Sequence, residues 1–225
     1  EAISKYTSLP RQEAFNIEYW LLEEAKLQRQ PKEKPLSRKV AMVTGSGGGI
    51  GRAIADKLIA EGANLVFADI SKEYLKEAIQ TYSSDQAIGC HCDVTQSESL
   101  EAVVKKTSLQ FGGLDIVVHS AGLAISKSIT DTTEADWDLL QDVLVKGQFL
   151  LSKVAANIMR KQKQGGDIIN IVSKNGLVSG PNNAGYGTAK AAQMHLSRLL
   201  ATELAPDKIK VNTVNPDGVI VGSKI

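Results

Sequence analysis

The chain is poor in side chains that bind metals or cross-link: it has two cysteines and three histidines in 225 residues. Both cysteines sit in "CHCDV", as Cys90 and Cys92. Residues two apart on a strand share a face, so half of a metal site can be imagined there. No second cysteine pair completes it, and buried thiols of a reducing compartment are the better reading. No metal is therefore expected. Charge of either sign is not in excess: the formal net charge is +1, which removes the electrostatic reason to look for nucleic acid or an acidic membrane surface as partner. No apolar run is long enough to cross a bilayer and no signal-peptide pattern opens the chain, so a cytoplasmic protein is expected. Internal repeats and low-complexity tracts are absent as well. The chain begins at Glu1, not Met, and the expectation is a piece of something longer.

What is present divides into two textures. Residues 1–38 hold "RQEAFNIEYWLLEEAKLQRQ", which reads as one helix. Phe15, Tyr19 and Leu22 recur every three to four residues, and Trp20 and Leu27 widen the apolar stripe. Pro31 and Pro35, among charges in "PKEKPLSRK", end it. Such an aromatic helix should pack on something, and the segment reads as an arm docking on this domain, on another domain or on another chain. From Lys39 to Ile225, short apolar strands alternate with amphipathic helices: "KVAMVTG", "NLVFADI", "AIGCHCDV", "LDIVVHSAG", "GDIINIVS" and "IKVNTVNPD" are strands. Ser71 is a fair N-cap, with Tyr74 and Leu75 facing inward behind it. "EADWDLLQDVLVKGQFLLSKVAANIMRKQ" reads as one long helix. The alternation predicts an α/β fold, a doubly wound parallel sheet of six strands with helices on both faces.

The first strand-to-helix turn is "TGSGGGIG", with Gly45, Gly49 and Gly51 spaced G-x-x-x-G-x-G. Residues without Cβ let backbone approach a pyrophosphate, and the helix start that follows offers free N–H groups. A tight turn without a ligand is the plainer alternative. Asp69 closes the second strand, 18 residues after Gly51. A carboxylate there can accept from the adenine-ribose hydroxyls and repel a 2′-phosphate, which predicts NAD over NADP; the alternative is an aspartate that only caps the next helix. Ser173 ends the fifth strand, and 13 residues later "YGTAK" sets Tyr186 and Lys190 four apart. A tyrosine and a lysine at that spacing can be no more than a helix-surface pair. Strand ends on the carboxyl side of an open parallel sheet, however, face its ligand crevice.

T-G-x-x-x-G-x-G, an acid after the second strand, an A-G pair after the fourth, S-x12-Y-x3-K and V-N-x-V-x-P all occur in that order. Over residues 39–225 the chain therefore resembles the short-chain dehydrogenase/reductase family. The resemblance implies that Tyr186 is the general acid/base, that Lys190 and an oxidised nicotinamide lower its pKa, that Lys190 bonds the nicotinamide ribose, and that Ser173 holds the substrate oxygen. It implies NAD contacts from Gly45, Ser46, Gly47, Gly49, Ile50 and Gly51 in the glycine loop. Further contacts would come from Asp69, Ile70, Asp93 and Val94 after the second and third strands, from Ser120, Ala121 and Gly122 after the fourth, and from Tyr186, Lys190, Pro216 and Val219. It also implies a homo-oligomer, paired through the long helix and the helix opening at Tyr186. An arm folded back over that apolar surface within one chain is the alternative.

The sequence departs from the family pattern in places. The N-N-A-G segment is "HSAG", and His119 would either stack or be a buried, satisfied histidine. The asparagine of the long helix is Leu144 here, whose backbone carbonyl could still hold a relay water. The P-G pair is Pro216–Asp217. The closest resemblance, carried by "YWLLEEAKLQR", "IVSKN", "GPNNAGYGTAKAAQMHLSR" and "VNTVNPDGVIVGSKI", is to the dehydrogenase half of bifunctional aldolase/short-chain dehydrogenase proteins. In that family the pair is associated with rhamnulose-1-phosphate cleavage and oxidation of the lactaldehyde formed. Residues 1–38 would then be the connector to a fused aldolase domain. The resemblance also places a substrate lid and a last strand beyond Ile225. Three functions stay open: an NAD-dependent dehydrogenase of a small hydroxy-aldehyde or sugar-derived alcohol, a catalytically weakened NAD-binding scaffold or sensor, and a general sugar-alcohol dehydrogenase without an aldolase.

Overall fold

Five-residue apolar stretches such as "VAMVT" suit strands buried on both faces, and here they assemble into one sheet. The computed structural model describes residues 10–18, 26–29 and 33–218. Strands β1 (Val40–Thr44), β2 (Asn64–Asp69), β3 (Ala87–His91), β4 (Ile116–His119), β5 (Gly166–Ile171) and β6 (Ile209–Val214) lie in the order β3-β2-β1-β4-β5-β6. Every pairing is parallel. This is the doubly wound Rossmann-type sheet expected from the alternation. The strand order reverses between β1 and β4, so the loops leaving these two strands diverge and open a crevice at their carboxyl ends.

A parallel sheet must be covered on both faces. Side chains alternate along each strand, and the two sets build two cores. Met42, Val66, Val117 and Ile168 face helices α4 (Ser97–Phe111) and α6 (Gly147–Gln162), packing with Leu100, Val104, Leu151 and Ala155. Ala41, Val43, Leu65 and Phe67 face α2 (Gly49–Ala60) and α3 (Lys72–Ile79), packing with Ala55, Ile59, Leu75 and Ala78. Ser71 caps α3 as expected, its hydroxyl accepting the Tyr74 N–H at 3.2 Å. Leu75 is buried, but Tyr74 is not turned inward: it is 38% exposed and lies over the glycine loop, its Cβ 2.5 Å from where a Cβ on Gly47 would stand. Strand β3 ends at His91, short of Val94, and Cys90 and Cys92 are free, buried thiols. Burial pushes the Cys92 thiol up to about 12.

The long helix expected over residues 134–162 is interrupted. Helix α5 (Glu134–Leu140) opens with a capping box between Thr133 and Asp136. A π-helical stretch, Gln141–Lys146, then leads into α6. Apolar spacing cannot tell the two apart, because one widened turn leaves the buried side chains on the same face. The widened turn presents the Leu144 carbonyl to the Gln193 Nε2–H at 2.8 Å. Gln193 belongs to α7 (Ala184–Leu204).

The chain divides into two units, Glu1–Lys34 and Pro35–Ile225. In the first, α1 (Arg11–Glu18) carries a Gln12–Asn16 side-chain bond of 3.1 Å, and residues 26–29 are helical. The side chains of Phe15, Tyr19 and Trp20, on which the expected aromatic face rests, lie outside the described residues. Among the described residues no helix is long and apolar enough to cross a membrane.

Phe67 is fully buried in the second core; its ring stacks on Tyr82 at 5.8 Å and lies under the Arg52 guanidinium at 5.6 Å. Phe67→Ala should lower the unfolding free energy by about 3–5 kcal/mol, because the cavity cannot collapse beside a central strand. Denaturant titration checks this; a loss below about 1 kcal/mol would mean the core repacks freely.

Candidate functional site

The turn after β1 is shaped by close backbone approaches. A Cβ on Gly51 would stand 2.1 Å from the Gly45 carbonyl oxygen, and one on Gly45 would stand 2.7 Å from the Ala121 Cα. Gly45 and Gly49 have φ of +63° and +55°, the left-handed region open to glycine. Helix α2 begins at Gly49; the residue before it, Gly48, offers no side-chain cap, and a Cβ on Gly48 would meet nothing within 4 Å. The first N–H groups of α2 thus have no side-chain cap and there is room beside Gly48, an arrangement that suits an anion. Ser46 is buried, its hydroxyl donating to the Ala68 carbonyl at 3.4 Å. Asp69 accepts from the Gly47 N–H at 2.8 Å and the Ser71 N–H at 2.9 Å. It braces the glycine loop while Ser71 does the capping of α3, and two of its roughly four lone-pair sites remain open. Ile70 beside it is 64% exposed.

Ser173, Tyr186 and Lys190 line one cleft of about 450 Å³, together with Ile50, Ser120, Gly122 and Pro216. Ser173 follows β5 in extended conformation and accepts the Asn175 N–H at 3.2 Å. Tyr186 and Lys190 stand one turn apart near the start of α7. Lys190 is 5% exposed, and its Nζ donates to the Ile171 carbonyl at 3.2 Å and lies 5.6 Å from the Tyr186 ring centre. Burial pulls its pKa down to about 8. For Tyr186 the expected lowering rested on Lys190 and an oxidised nicotinamide together; the protein's own contribution is the opposite. Burial pushes the phenol above its usual value, and a hydrogen bond with Ser173 opposes this in part. Lys190, turned toward Ile171, does not offset the desolvation.

Beneath the cleft, Thr44 and His119 are adjacent across β1 and β4 and both are buried. The Thr44 hydroxyl accepts the N–H groups of Ser120 and Ala121, each at 3.2 Å, and meets His119 Nδ1 at 3.3 Å. Of the two expectations for His119, burial is found, but the ring is not fully satisfied: its Nε2 has no hydrogen-bond partner among the described residues. Burial and the Lys190 charge pull its pKa down to about 3, so the ring is neutral. The Leu144 carbonyl, expected to be free for a water, takes the Gln193 side chain.

The other expected residues lie around this centre. The Asp93 carboxylate is engaged by the backbone N–H and hydroxyl of Thr95, at 2.9 and 2.8 Å. Val94 is buried in the first core, its Cγ2 3.0 Å from where a Cβ on Gly147 would stand. Val219 lies outside the described residues. Sequence reasoning missed an ion pair at the rim, Lys174 with Asp217, joining the loop after β5 to the one after β6. Two exposed residues so far apart in the chain leave no pattern that pairs them. It also assigned no role to Thr44, although the motif contains it.

Residues 39–223 match the short chain dehydrogenase family, and residues 1–27 match the second domain of the class II aldolases. The whole chain is 38% identical to the uncharacterized oxidoreductase YuxG of Bacillus subtilis over 228 aligned residues, and spans 33% of that protein's length. It is 39% identical over 181 residues to an uncharacterized oxidoreductase of Staphylococcus aureus strain USA300, covering 80% of this chain and 78% of that one. A solved structure, a short-chain type dehydrogenase/reductase from Mycobacterium marinum, is similar with a TM-score of 0.76 at 33% identity, over 80% of this chain and 75% of that chain.

Lys190 generates a pH signature. Its pKa falls from 10.5 to about 8 on folding, so between these values the unfolded chain holds more protons than the folded one. Stability should rise as pH increases through that window, and the full penalty, at most roughly 3 kcal/mol, stands below it. Lys190→Met should flatten this slope and raise the unfolding free energy at pH 7. Parallel pH–stability curves for parent and variant would show that the ammonium is not desolvated.

Proposed function

Because the chain belongs to the short-chain dehydrogenase family and is thus an oxidoreductase, we propose that it is an NAD-dependent dehydrogenase of a small hydroxy-aldehyde or sugar-derived alcohol. The observation that carries this reading is the convergence of Ser173, Tyr186 and Lys190 in one cleft that Ile50 of the glycine loop also lines. The residues present fit a dinucleotide. The uncapped start of α2, with open space at Gly48, suits the pyrophosphate. The open lone pairs of Asp69 suit two ribose hydroxyls, and its charge disfavours a 2′-phosphate. The loops holding Asp93 and Val94, Ser120 to Gly122, and Pro216 and Val219 complete the set of residues proposed to hold it. The bound nicotinamide supplies the hydride acceptor or donor.

The side chains do the proton work. Tyr186 Oη takes the hydroxyl proton of an alcohol during oxidation and returns it to a carbonyl oxygen during reduction. The Ser173 hydroxyl, lining the same cleft as Tyr186, orients that same oxygen and stabilises charge on it. Lys190, with its pKa near 8, carries a proton in part of the population at neutral to mildly alkaline pH, and a charge there favours the phenolate. Substrate class and context rest on the chain's N-terminal part. The aldolase match over residues 1–27 and the span of one third of YuxG support a longer protein in which this dehydrogenase is fused to a class II aldolase domain. A lactaldehyde-type product of deoxy-sugar phosphate cleavage is then the substrate. Leu139, Phe149 and Leu199, all about half exposed on α5, α6 and α7, support a homo-oligomer.

A second reading, an NAD-binding scaffold with weakened catalysis, is favoured by the raised Tyr186 phenol and by the leucine at residue 144. Turnover separates the two. Tyr186→Phe should lower turnover of the best NAD-linked aldehyde or alcohol by about 100-fold or more while NAD affinity stays within about threefold. Unchanged turnover would remove Tyr186 from the chemistry, and absence of turnover in the parent over a broad hydroxy-aldehyde screen would favour the scaffold. For the cofactor, NAD should bind more tightly than NADP, and Asp69→Ala should narrow the gap by about tenfold, the loss of one charge-assisted contact and one repulsion. Equal affinities in the parent would contradict the assignment.

A further inference from the structure

A second hollow of about 660 Å³ adjoins the cleft of Tyr186, and Asn175 and Asn183 line both. Three lysines reach these two spaces, and each already has a partner. Lys190, deep in the cleft, is given to the Ile171 carbonyl. Lys127, on the wall of the second hollow, bonds Asp136 at 2.7 Å. That carboxylate also accepts the Thr133 N–H and hydroxyl at 3.1 and 2.8 Å, so the capping box of α5 fixes the pair. Lys174 is paired with Asp217, and both line the catalytic cleft where it opens to solvent. The backbone clips these two together as well. The Lys174 N–H donates to the Pro216 carbonyl at 3.0 Å, and the Gly218 N–H donates to the Asp217 carboxylate at 2.7 Å. Lys174 and the Gly218 N–H hold the Asp217 carboxyl below its usual value, so it stays ionised at neutral pH. Among the described residues, no arginine or histidine lines either space. An anion entering here must take a lysine from its aspartate and then lie beside the freed carboxylate. An exposed pair adds little to stability, so this one matters more for what enters than for folding.

We propose that Asp217, by neutralising Lys174 at the mouth of the cleft, is a specificity-determining residue that admits uncharged hydroxy-carbonyl substrates and disfavours phosphorylated ones. Discrimination of this kind works by repelling the wrong ligand as much as by holding the right one. The rest of the polar wall is neutral. Asn175 and Asn183 carry amides, and Asn183 does not use its own to cap α7. Amides suit hydroxyl and carbonyl oxygens. Cleavage of a sugar monophosphate leaves the phosphate on one fragment only, and such a filter passes the other. The inference rests on the proposed dehydrogenase reading for its substrate but not for the charge preference of the cleft.

Glyceraldehyde and glyceraldehyde 3-phosphate differ by the phosphate alone and test the filter. In the full chain kcat/KM should favour the uncharged aldehyde. Asp217→Asn should shift the ratio of the two toward the phosphate by about threefold to tenfold at low salt, the scale of one exposed charge. Lys174→Met leaves the carboxylate uncompensated and should shift the ratio the other way. A general loss of activity moves neither ratio, and added salt should erase both shifts. Ratios that stay fixed in both variants, or that move in the same direction, overturn the proposal, as does a parent that prefers the phosphate. Inorganic phosphate reads the same preference without turnover. Titrated into the full chain and followed at the Asn175 and Gly218 amide resonances, it should bind more tightly to Asp217→Asn than to the parent, and equal affinity overturns the filter. A parent without turnover of any aldehyde or alcohol sinks the dehydrogenase reading instead, and the phosphate titration still decides this one.

Discussion

One buried hydroxyl, that of Thr44, holds together the two halves of the sheet where their loops part. Thr44 ends β1 and pairs in register with His119, the end of β4. Past this point the chain must diverge, because the strand order reverses there. With both strands ending, their backbone donors lose ladder partners, and the Ser120 and Ala121 N–H groups find theirs on the Thr44 oxygen. That draws the turn after β4 so close to the turn after β1 that only a residue without Cβ fits at Gly45. The crevice, the glycine loop beside it and the neutral histidine beneath it follow from this junction.

The energetic cost of the site is concentrated at Lys190. An ammonium 5% exposed, satisfied by one carbonyl, is desolvated more than it is compensated. The same burial raises the Tyr186 phenol, so the two groups shift apart: the ammonium becomes easier to deprotonate and the phenol harder to ionise. Burial alone accounts for both displacements, because it disfavours whichever form is charged. The surrounding sheet tolerates the strain because both of its faces are closed by continuous apolar cores.

Much of this architecture is legible in the sequence, for identifiable reasons. Strands such as Val40–Thr44, buried at every residue, announce themselves as apolar runs, and Gly112 marks the end of α4 with a φ of +84°. Ser173, Tyr186 and Lys190 are found together because strand ends of a parallel sheet share one edge. The π-helical turn at Gln141–Lys146 is not legible, since the buried Leu140 just before it and Leu144 within it keep helical spacing. Tyr74 fails for a related reason: spacing places it near the core face, but the glycine loop occupies that ground. The direction of the Tyr186 shift follows from how deeply the phenol is buried, a three-dimensional fact with no linear signature. The Lys174–Asp217 pair likewise exists only once the sheet is assembled.

The central claim is that the crevice between the ends of β1 and β4 seats a nicotinamide dinucleotide against Tyr186. Amide hydrogen exchange of the full chain, with and without saturating NADH, tests it most directly. Protection confined to the glycine loop at 45–51, the end of β2 at 69–71, the turn at 120–122 and the start of α7 is the predicted result. Exchange that is unchanged in all of these segments, or protection located at the opposite edge of the sheet, would contradict it.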